Sequence, residues 1–232
     1  MEMTQEDRQF LWKSVSDFIF KHSISFDEFV LERIKYMMLN GSFPQVYFYD
    51  VIREICEELG FIPDEDNMYL AFLKELEDNF DIKNSHIIEV GGGMIPCLGK
   101  RISLLQDKGS ITIYDPKLLD GYDDIANFKL IREDFTHKSK LGDTNLLIGL
   151  MPCKGAEALI DQAIGHKIDF MVWLCEGGPH GDYYDFYEDE DEWRSALIST
   201  AVRGVRDNGM GEVKKKYLTK FSDTYPIIYS KK

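Results

Sequence analysis

Hydrophobic residues make up 44% of the 232-residue chain and charged residues 29%, the composition of a globular protein with one sizeable core. Its 41 acidic and 27 basic residues give a net charge of −14, a field that repels phosphate backbones, so no nucleic-acid partner is expected. The chain lacks an apolar run of about eighteen residues, and its acidic N-terminus is unlike a signal peptide. We therefore expect no membrane partner and a cytoplasmic location. Four widely spaced cysteines without a CxxC pair predict reduced thiols.

The N-terminal third of the chain predicts about four amphipathic helices. The second is expected to begin at Ser25, because Glu28 follows with the spacing of a capping box, and Phe29 belongs to its apolar stripe. Pro44 suits the first turn of the third helix. We interpret residues 1–82 as a helical subdomain that caps the remainder or joins two copies in a homodimer.

From residue 83 onwards, short apolar runs alternate with helical spans, which is typical of βαβ units. Parallel strands with helices between them are predicted at 86–90, 110–114, 128–132, 144–150 and 169–175. Two further strands, at 212–221 and 225–230, are too close in sequence for a crossover and predict an antiparallel hairpin. Residues 83–232 therefore predict an α/β fold with a Rossmann-like, doubly wound, mostly parallel seven-stranded sheet.

A glycine-rich turn follows the first predicted strand. Gly91, Gly92 and Gly93 allow the backbone to bend sharply and to approach a ligand closely, because no Cβ obstructs it. A helix after this turn would direct its first N–H groups at the same place. The glycine turn therefore predicts a nucleotide-type ligand. The alternative is a strand-to-helix connection that binds no ligand.

Two acids follow the next strands at informative positions. Asp115 ends the second predicted strand, 22 residues after Gly93, where an acid can accept hydrogen bonds from ribose hydroxyls. Asp134 ends the third strand, where it could accept from an adenine amino group while Phe135 covers the ring. Either acid alone could cap a helix, but the ordered set favours an adenosine-containing ligand.

These motifs resemble the class I S-adenosylmethionine-dependent methyltransferases over residues 83–232. The family's first motif is an acid followed by alternate glycines; here it starts at Glu89 and has Ile95 in place of the third glycine. The closing antiparallel hairpin is also typical of the family. The resemblance implies S-adenosyl-L-methionine as the cofactor, and binding residues Glu89, Gly91, Gly92, Gly93, Asp115, Pro116, Asp134, Phe135, Leu150 and Met151.

Two alternatives use the same turn differently. The Gly-x-Gly-x-x-Pro pattern from Gly91 to Pro96 resembles the nicotianamine synthase-like enzymes, which transfer the aminocarboxypropyl arm of the same cofactor. A nicotinamide dehydrogenase would need glycine in place of Pro96, and proline removes an N–H donor that the pyrophosphate would use. The fourth strand also lacks the Asn/Asp-Pro-Pro-aromatic motif of methyltransferases that act on the amino groups of bases or of glutamine.

The catalytic candidates follow the fifth predicted strand. Glu176 and His180 lie in a glycine- and proline-rich loop and could act as a general base; otherwise they are a capping glutamate and a loop histidine. Acidic and aromatic residues at 182–192 favour a cationic or amine-bearing small-molecule substrate, or else form a solvated loop.

Cysteines could share this edge of the sheet with His180. Cys97, Cys153 and Cys175 each follow a strand or the glycine turn, but their spacing matches no metal motif, so no metal is expected. The sequence thus predicts a methyltransferase for a small molecule. Aminocarboxypropyl transfer and a non-catalytic cofactor-binding module are the alternatives.

Overall fold

A computed structural model describes residues 3–40, 50–175, 189–222 and 224–231. Its helices are α1 (Gln5–Lys21), α2 (Glu28–Asn40), α3 (Asp50–Glu58), α4 (Met68–Asn79), α5 (Cys97–Leu105), α6 (Ala156–His166) and α7 (Glu190–Asp207). Its strands are β1 (His86–Val90), β2 (Ser110–Tyr114), β3 (Phe128–Ile131), β4 (Leu146–Leu150), β5 (Asp169–Trp173), β6 (Val213–Lys216) and β7 (Ile227–Ser230). Short 3-10 turns precede α4 and α6.

The strands form one seven-stranded sheet in the order β3-β2-β1-β4-β5-β7-β6. The first five strands are parallel to one another, and β7 runs antiparallel between β5 and β6. The predicted Rossmann-like sheet with a C-terminal antiparallel pair is therefore confirmed. All five parallel strands end at one edge, which is where open α/β sheets bind ligands.

Two of the predicted connecting helices are absent. Residues 115–127, between β2 and β3, and residues 132–145, between β3 and β4, contain turns and loops only. Left-handed backbone at Gly121 (φ +98°), Asn127 (φ +60°) and Gly142 (φ +59°) is incompatible with a continuous helix. The missing helix after β3 leaves a cleft of about 710 Å³ along one face of β1, β2 and β3.

Hydrophobic side chains cover both faces of the sheet. Helices α1 to α5 pack on the face that carries Ile87, Ile113 and Trp173, whereas α6 and α7 pack on the face that carries Ile88 and Val172. Successive side chains of a strand point to opposite faces of the sheet, so one apolar strand packs against the helices on both faces. The N-terminal helices thus share one core with the sheet, and the predicted boundary between residues 82 and 83 stays a prediction.

The start of the second helix differs from the prediction. It begins at Glu28, and Asp27 caps it by accepting the N–H groups of Phe29 (2.9 Å) and Val30 (3.4 Å), so the predicted capping box at Ser25 is wrong. A carboxylate directly before the first turn is as good an acceptor as a hydroxyl and also favours the helix dipole. Phe29 is 76% exposed rather than packed. Pro44 lies outside the described residues. Of the helices described, none combines the length and apolarity needed to cross a bilayer.

Candidate functional site

The glycine turn lies at the carboxyl end of β1, in the middle of the sheet. Gly91 and Gly93 have φ values of +73° and +78°, which other residues rarely adopt. A Cβ on Gly91 would be 2.8 Å from Cα of Pro152, and one on Gly92 would overlap the side chain of Ile113. All three glycines are therefore required. Gly91 and Gly93 are required by their backbone conformation, and Gly91 and Gly92 also because another segment of the same chain lies too close for a Cβ.

A fourth glycine compensates for Ile95 in the motif. Gly99 lies in the first turns of α5, and a Cβ there would overlap Ile113 and come within 2.8 Å of Oε2 of Glu89. The absent side chain lets α5 pack closely against β1 and β2. Sequence reasoning missed this residue because it lies outside the motif spacing, although helix–strand packing is the role that a third glycine has in dinucleotide folds.

Asp115 lies beside the glycine turn, as its position after β2 predicts. Its Oδ2 accepts the N–H of Gly93 (3.0 Å) and its Oδ1 accepts the N–H of Lys117 (2.8 Å). The carboxylate is half-buried, and its own N–H donates to the carbonyl of Ile131 (3.1 Å). Each carboxylate oxygen has a second lone pair, so Asp115 can still accept from a ligand hydroxyl.

A second carboxylate reaches the turn from the N-terminal helices. Glu54, on α3, is 7% exposed, and its Oε2 accepts the N–H groups of Met94 (2.8 Å) and Ile95 (3.0 Å). The carboxylate also touches the space where a Cβ on Gly93 would lie. The sequence carries no signal for this contact, because backbone N–H groups have no side-chain signature and Glu54 looks like an ordinary helical acid.

Ion pairs between α3 and α5 hold Glu54 in place. Arg101 donates to the carboxylate of Glu57, and Lys100 donates to that of Glu58. Both acids follow Glu54 on the same helix, one turn further along. Packing between these two helices therefore fixes the distance from the N-terminal segment to the glycine turn.

Glu89 is the third carboxylate, and it lies beneath the turn. It is 2% exposed, and its Oε2 has no hydrogen-bond partner in the described part of the chain. Leaving a buried polar atom unsatisfied costs about 1–3 kcal/mol, so native proteins keep few of them, often at functional sites.

The electrostatics of the site favour the entry of a cation. Burial raises the pKa of Glu54 to about 7, against the opposing effects of the Ile95 N–H and the Arg53 charge. Burial, followed by the charges of Asp115 and Glu54, raises the pKa of Glu89 to about 8. Near pH 7 the Glu89 carboxyl therefore keeps its proton and the Glu54 carboxyl is about half ionised, chiefly because both groups are buried. A cation bound here would lower both pKa values.

No protein-family model matches this chain, and no curated protein matches it. Among solved structures, it is similar to Aeropyrum pernix fibrillarin with natively bound S-adenosyl-L-methionine, at 15% identity and a TM-score of 0.47 over 68% of this chain and 71% of that one. It is similar to human N-acetylserotonin methyltransferase with the same molecule, at 15% identity and 0.46 over 96% and 66%. It is also similar to precorrin-6y C5,15-methyltransferase from Geobacter metallireducens, at 15% identity and 0.43 over 72% and 88%.

The end of β4 lies directly against the glycine turn. Leu150 is buried, and Met151 follows in a left-handed conformation (φ +53°) that its N–H stabilises by donating to the carbonyl of Trp173 (2.9 Å). Pro152 then contacts Gly91. The structure thus brings the predicted residues Leu150 and Met151 to the same edge as the turn.

The other predicted binding residues lie further from the turn. Asp134 is exposed and lines the cleft on the face of β1 to β3, and the residues that line this cleft do not include the three glycines. Phe135 is buried with its ring at 5.2 Å and 79° to that of Tyr114. Pro116 is exposed beside Asp115. Their predicted roles with adenosine stay predictions.

The catalytic candidates Glu176 and His180 lie outside the described residues, as does most of the acidic and aromatic stretch from 182 onwards. Among the residues that are described, no group of three or more His, Cys, Asp and Glu side chains is arranged to hold a metal ion. Cys153 and Cys175 do meet at the sheet edge, with their sulfurs 3.4 Å apart. Cys97 is instead buried within the core that α1 to α5 share with the sheet.

Proposed function

We propose that this chain binds S-adenosyl-L-methionine at the glycine turn and transfers its methyl group to a small molecule. One observation carries the proposal: three acidic side chains surround the turn. Glu54, Glu89 and Asp115 all lie against it, and two of them already accept its N–H groups. This cofactor carries a sulfonium, an ammonium and one carboxylate, so its net charge is positive and complements the acidic side chains around the turn.

The same geometry disfavours a dinucleotide. A pyrophosphate needs free N–H groups at the turn and is repelled by carboxylates that occupy those groups. Here the N–H groups of Gly93, Met94 and Ile95 already donate to Asp115 and Glu54. Before a pyrophosphate could bind, these hydrogen bonds would have to break and the two acidic side chains would have to move away from the turn.

In the proposed complex each part of the chain has its own task. Asp115 would accept the ribose hydroxyls, while Glu54 and Glu89 would balance the positive charge of the cofactor's amino-acid end. When bound, the cofactor supplies an activated methyl group, so the protein contributes alignment and the exclusion of water. Residues 83–232 would form the binding domain, and the helical segment 1–82 would add Glu54. Glu176 or His180 remains the proposed base.

Titration calorimetry tests the binding step. We expect the purified chain to bind S-adenosylmethionine and its demethylated product, but not NAD. Replacing Asp115 with Asn or Glu54 with Gln should weaken binding at least tenfold, about 1.4 kcal/mol. Asp17→Asn is the matched control, since its side chain is 64% exposed on α1. Binding of NAD in place of S-adenosylmethionine, or equal affinity in all the variants, would refute the proposed site.

The Gly91 to Pro96 segment favours one alternative reaction. Pro96 precedes α5 as its N-terminal cap, with φ −74° and ψ 61°, in the motif that resembles aminocarboxypropyl transferases. The two reactions leave different parts of the cofactor behind. S-adenosylhomocysteine as the by-product supports methyl transfer, methylthioadenosine supports the alternative, and binding without turnover across many acceptors supports a non-catalytic module.

Self-association through the N-terminal helices is also proposed. Four aromatic side chains on α1 and α2 are exposed, which supports an interface: Phe10 (63%), Phe20 (87%), Phe29 (76%) and Tyr36 (67%). Sedimentation equilibrium of the wild type and of Phe20→Ser tests this. A dimer that the substitution dissociates is expected; a wild-type monomer at micromolar concentration would contradict it.

A further inference from the structure

Two cysteines meet where neighbouring strands end. Strands β4 and β5 are parallel, and Leu150 is paired with Trp173 in their register. Cys153 follows β4 by three residues and Cys175 follows β5 by two, so both lie at the sheet edge that carries the glycine turn. Their sulfur atoms are 3.4 Å apart.

Within this pair, Cys153 differs from the other three cysteines in access to solvent. Cys153 is exposed and Cys175 is buried beneath it, whereas Cys56 and Cys97 lie within the hydrophobic core. Burial raises the pKa of Cys56 to about 12 and holds the pKa of Cys97 well above its ordinary value. Because the thiolate is the reactive form, the two core cysteines are poor nucleophiles and Cys153 is the accessible one.

We infer that Cys153 and Cys175 form a reversible dithiol–disulfide site, whose oxidant is a low-molecular-weight disulfide such as oxidised glutathione. The sulfurs must approach by about 1.4 Å to reach the length of a disulfide bond. That is within reach of side-chain rotation. The proposal does not depend on which cofactor the glycine turn binds.

The reaction proceeds by two exchanges. The Cys153 thiolate attacks oxidised glutathione, the glutathione disulfide bond breaks, and one glutathione leaves as a thiolate. The Cys175 thiolate then attacks Sγ of Cys153, which forms the internal disulfide and releases the second glutathione. The two cysteines lose two protons and two electrons, and oxidised glutathione gains both to become two thiols.

The bond would tie together the ends of β4 and β5 beside the glycine turn. Cys153 has a left-handed conformation (φ +42°), and Pro152 before it contacts Gly91. A change in the position of Cys153 therefore acts on the segment that limits the turn. This links the redox state of the pair to the edge where the ligand is expected.

Intact mass and peptide mapping test the inference on the whole chain. After incubation with oxidised glutathione under native conditions, the protein is denatured and its remaining thiols are alkylated. We expect a mass lower by two hydrogen atoms before alkylation, and two alkylated thiols rather than the four of the reduced chain. The mapped disulfide should join Cys153 to Cys175, and dithiothreitol should reverse it.

Two serine variants separate the steps. Cys175→Ser should stop at a mixed disulfide between glutathione and Cys153, whereas Cys153→Ser should show no rapid oxidation. The inference is overturned if the wild type also stops at the mixed disulfide, or if the mapped bond includes Cys56 or Cys97. The wild-type map decides the question even where a variant fails to fold.

Discussion

Glu89 offers the sharpest test of the electrostatics at the glycine turn. Its carboxyl is 2% exposed, and burial together with the charges of Asp115 and Glu54 raises its pKa from 4.5 to about 8. Ionising it in the folded protein therefore costs about 5 kcal/mol more than in the unfolded chain, at about 1.4 kcal/mol per pH unit. Glu89→Gln removes this ionisation and keeps nearly the same shape.

The sign follows from proton linkage. Between pH 4.5 and about 8 the folded state keeps a proton that the unfolded state has lost, so this group lowers stability as pH rises. Near pH 5 the wild type and Glu89→Gln should therefore have the same free energy of unfolding, to within the cost of about 1 kcal/mol for an unsatisfied amide. At pH 7 the variant should be more stable by about 3 kcal/mol. Glu54 is present in both proteins, so its own titration largely cancels.

Urea denaturation at several pH values between 5 and 9 measures the difference. Glu6→Gln, on the exposed first turn of α1, is the matched control. Its free energy of unfolding should change with pH in the same way as that of the wild type. Parallel curves for the wild type and Glu89→Gln would refute the raised pKa. Under the proposed function, the same variant should bind S-adenosylmethionine more weakly, so that stability rises while affinity falls.

Three further predictions concern the same turn. Binding of S-adenosylmethionine near pH 7 should release protons from Glu54 and Glu89, because their pKa values are raised to about 7 and about 8; calorimetry in two buffers of different ionisation enthalpy measures this, and zero release contradicts it. Glu54→Ala removes the acceptor of two N–H groups and should cost about 2–4 kcal/mol in urea denaturation. Gly93→Ala should cost at least about 2 kcal/mol, given φ +78° and the neighbouring carboxylate. The control for Gly93→Ala is Gly165→Ala in α6, which has open space around it and should stabilise that helix by up to about 1 kcal/mol; equal effects at the two glycines would argue against the turn geometry.

Local patterns in the sequence determined the order of the strands and of most helices, although the two helices predicted between β2 and β4 are absent. The change from helical to alternating strand and helical periods near residue 83 predicted the five parallel strands, and the short final connection predicted the antiparallel pair. Gly91, Gly93 and Asp115 were also readable, because glycine conformation and the end of a strand are local properties. The alternation of apolar and polar residues along a strand or helix is visible in the sequence itself. It can therefore be read without knowing which segments pack against that element.

Tertiary structure alone decided which distant groups complete the site. Glu54 reaches Met94 from forty residues earlier in the chain by accepting a backbone N–H, a donor that every residue except proline carries and that therefore leaves no pattern. Gly99 is required only because α5 packs on Ile113. The pairing of Cys153 with Cys175 depends on β4 lying beside β5. In each instance the contact depends on how close two distant segments come in space. The sequence sets that distance only through the packing of the whole core.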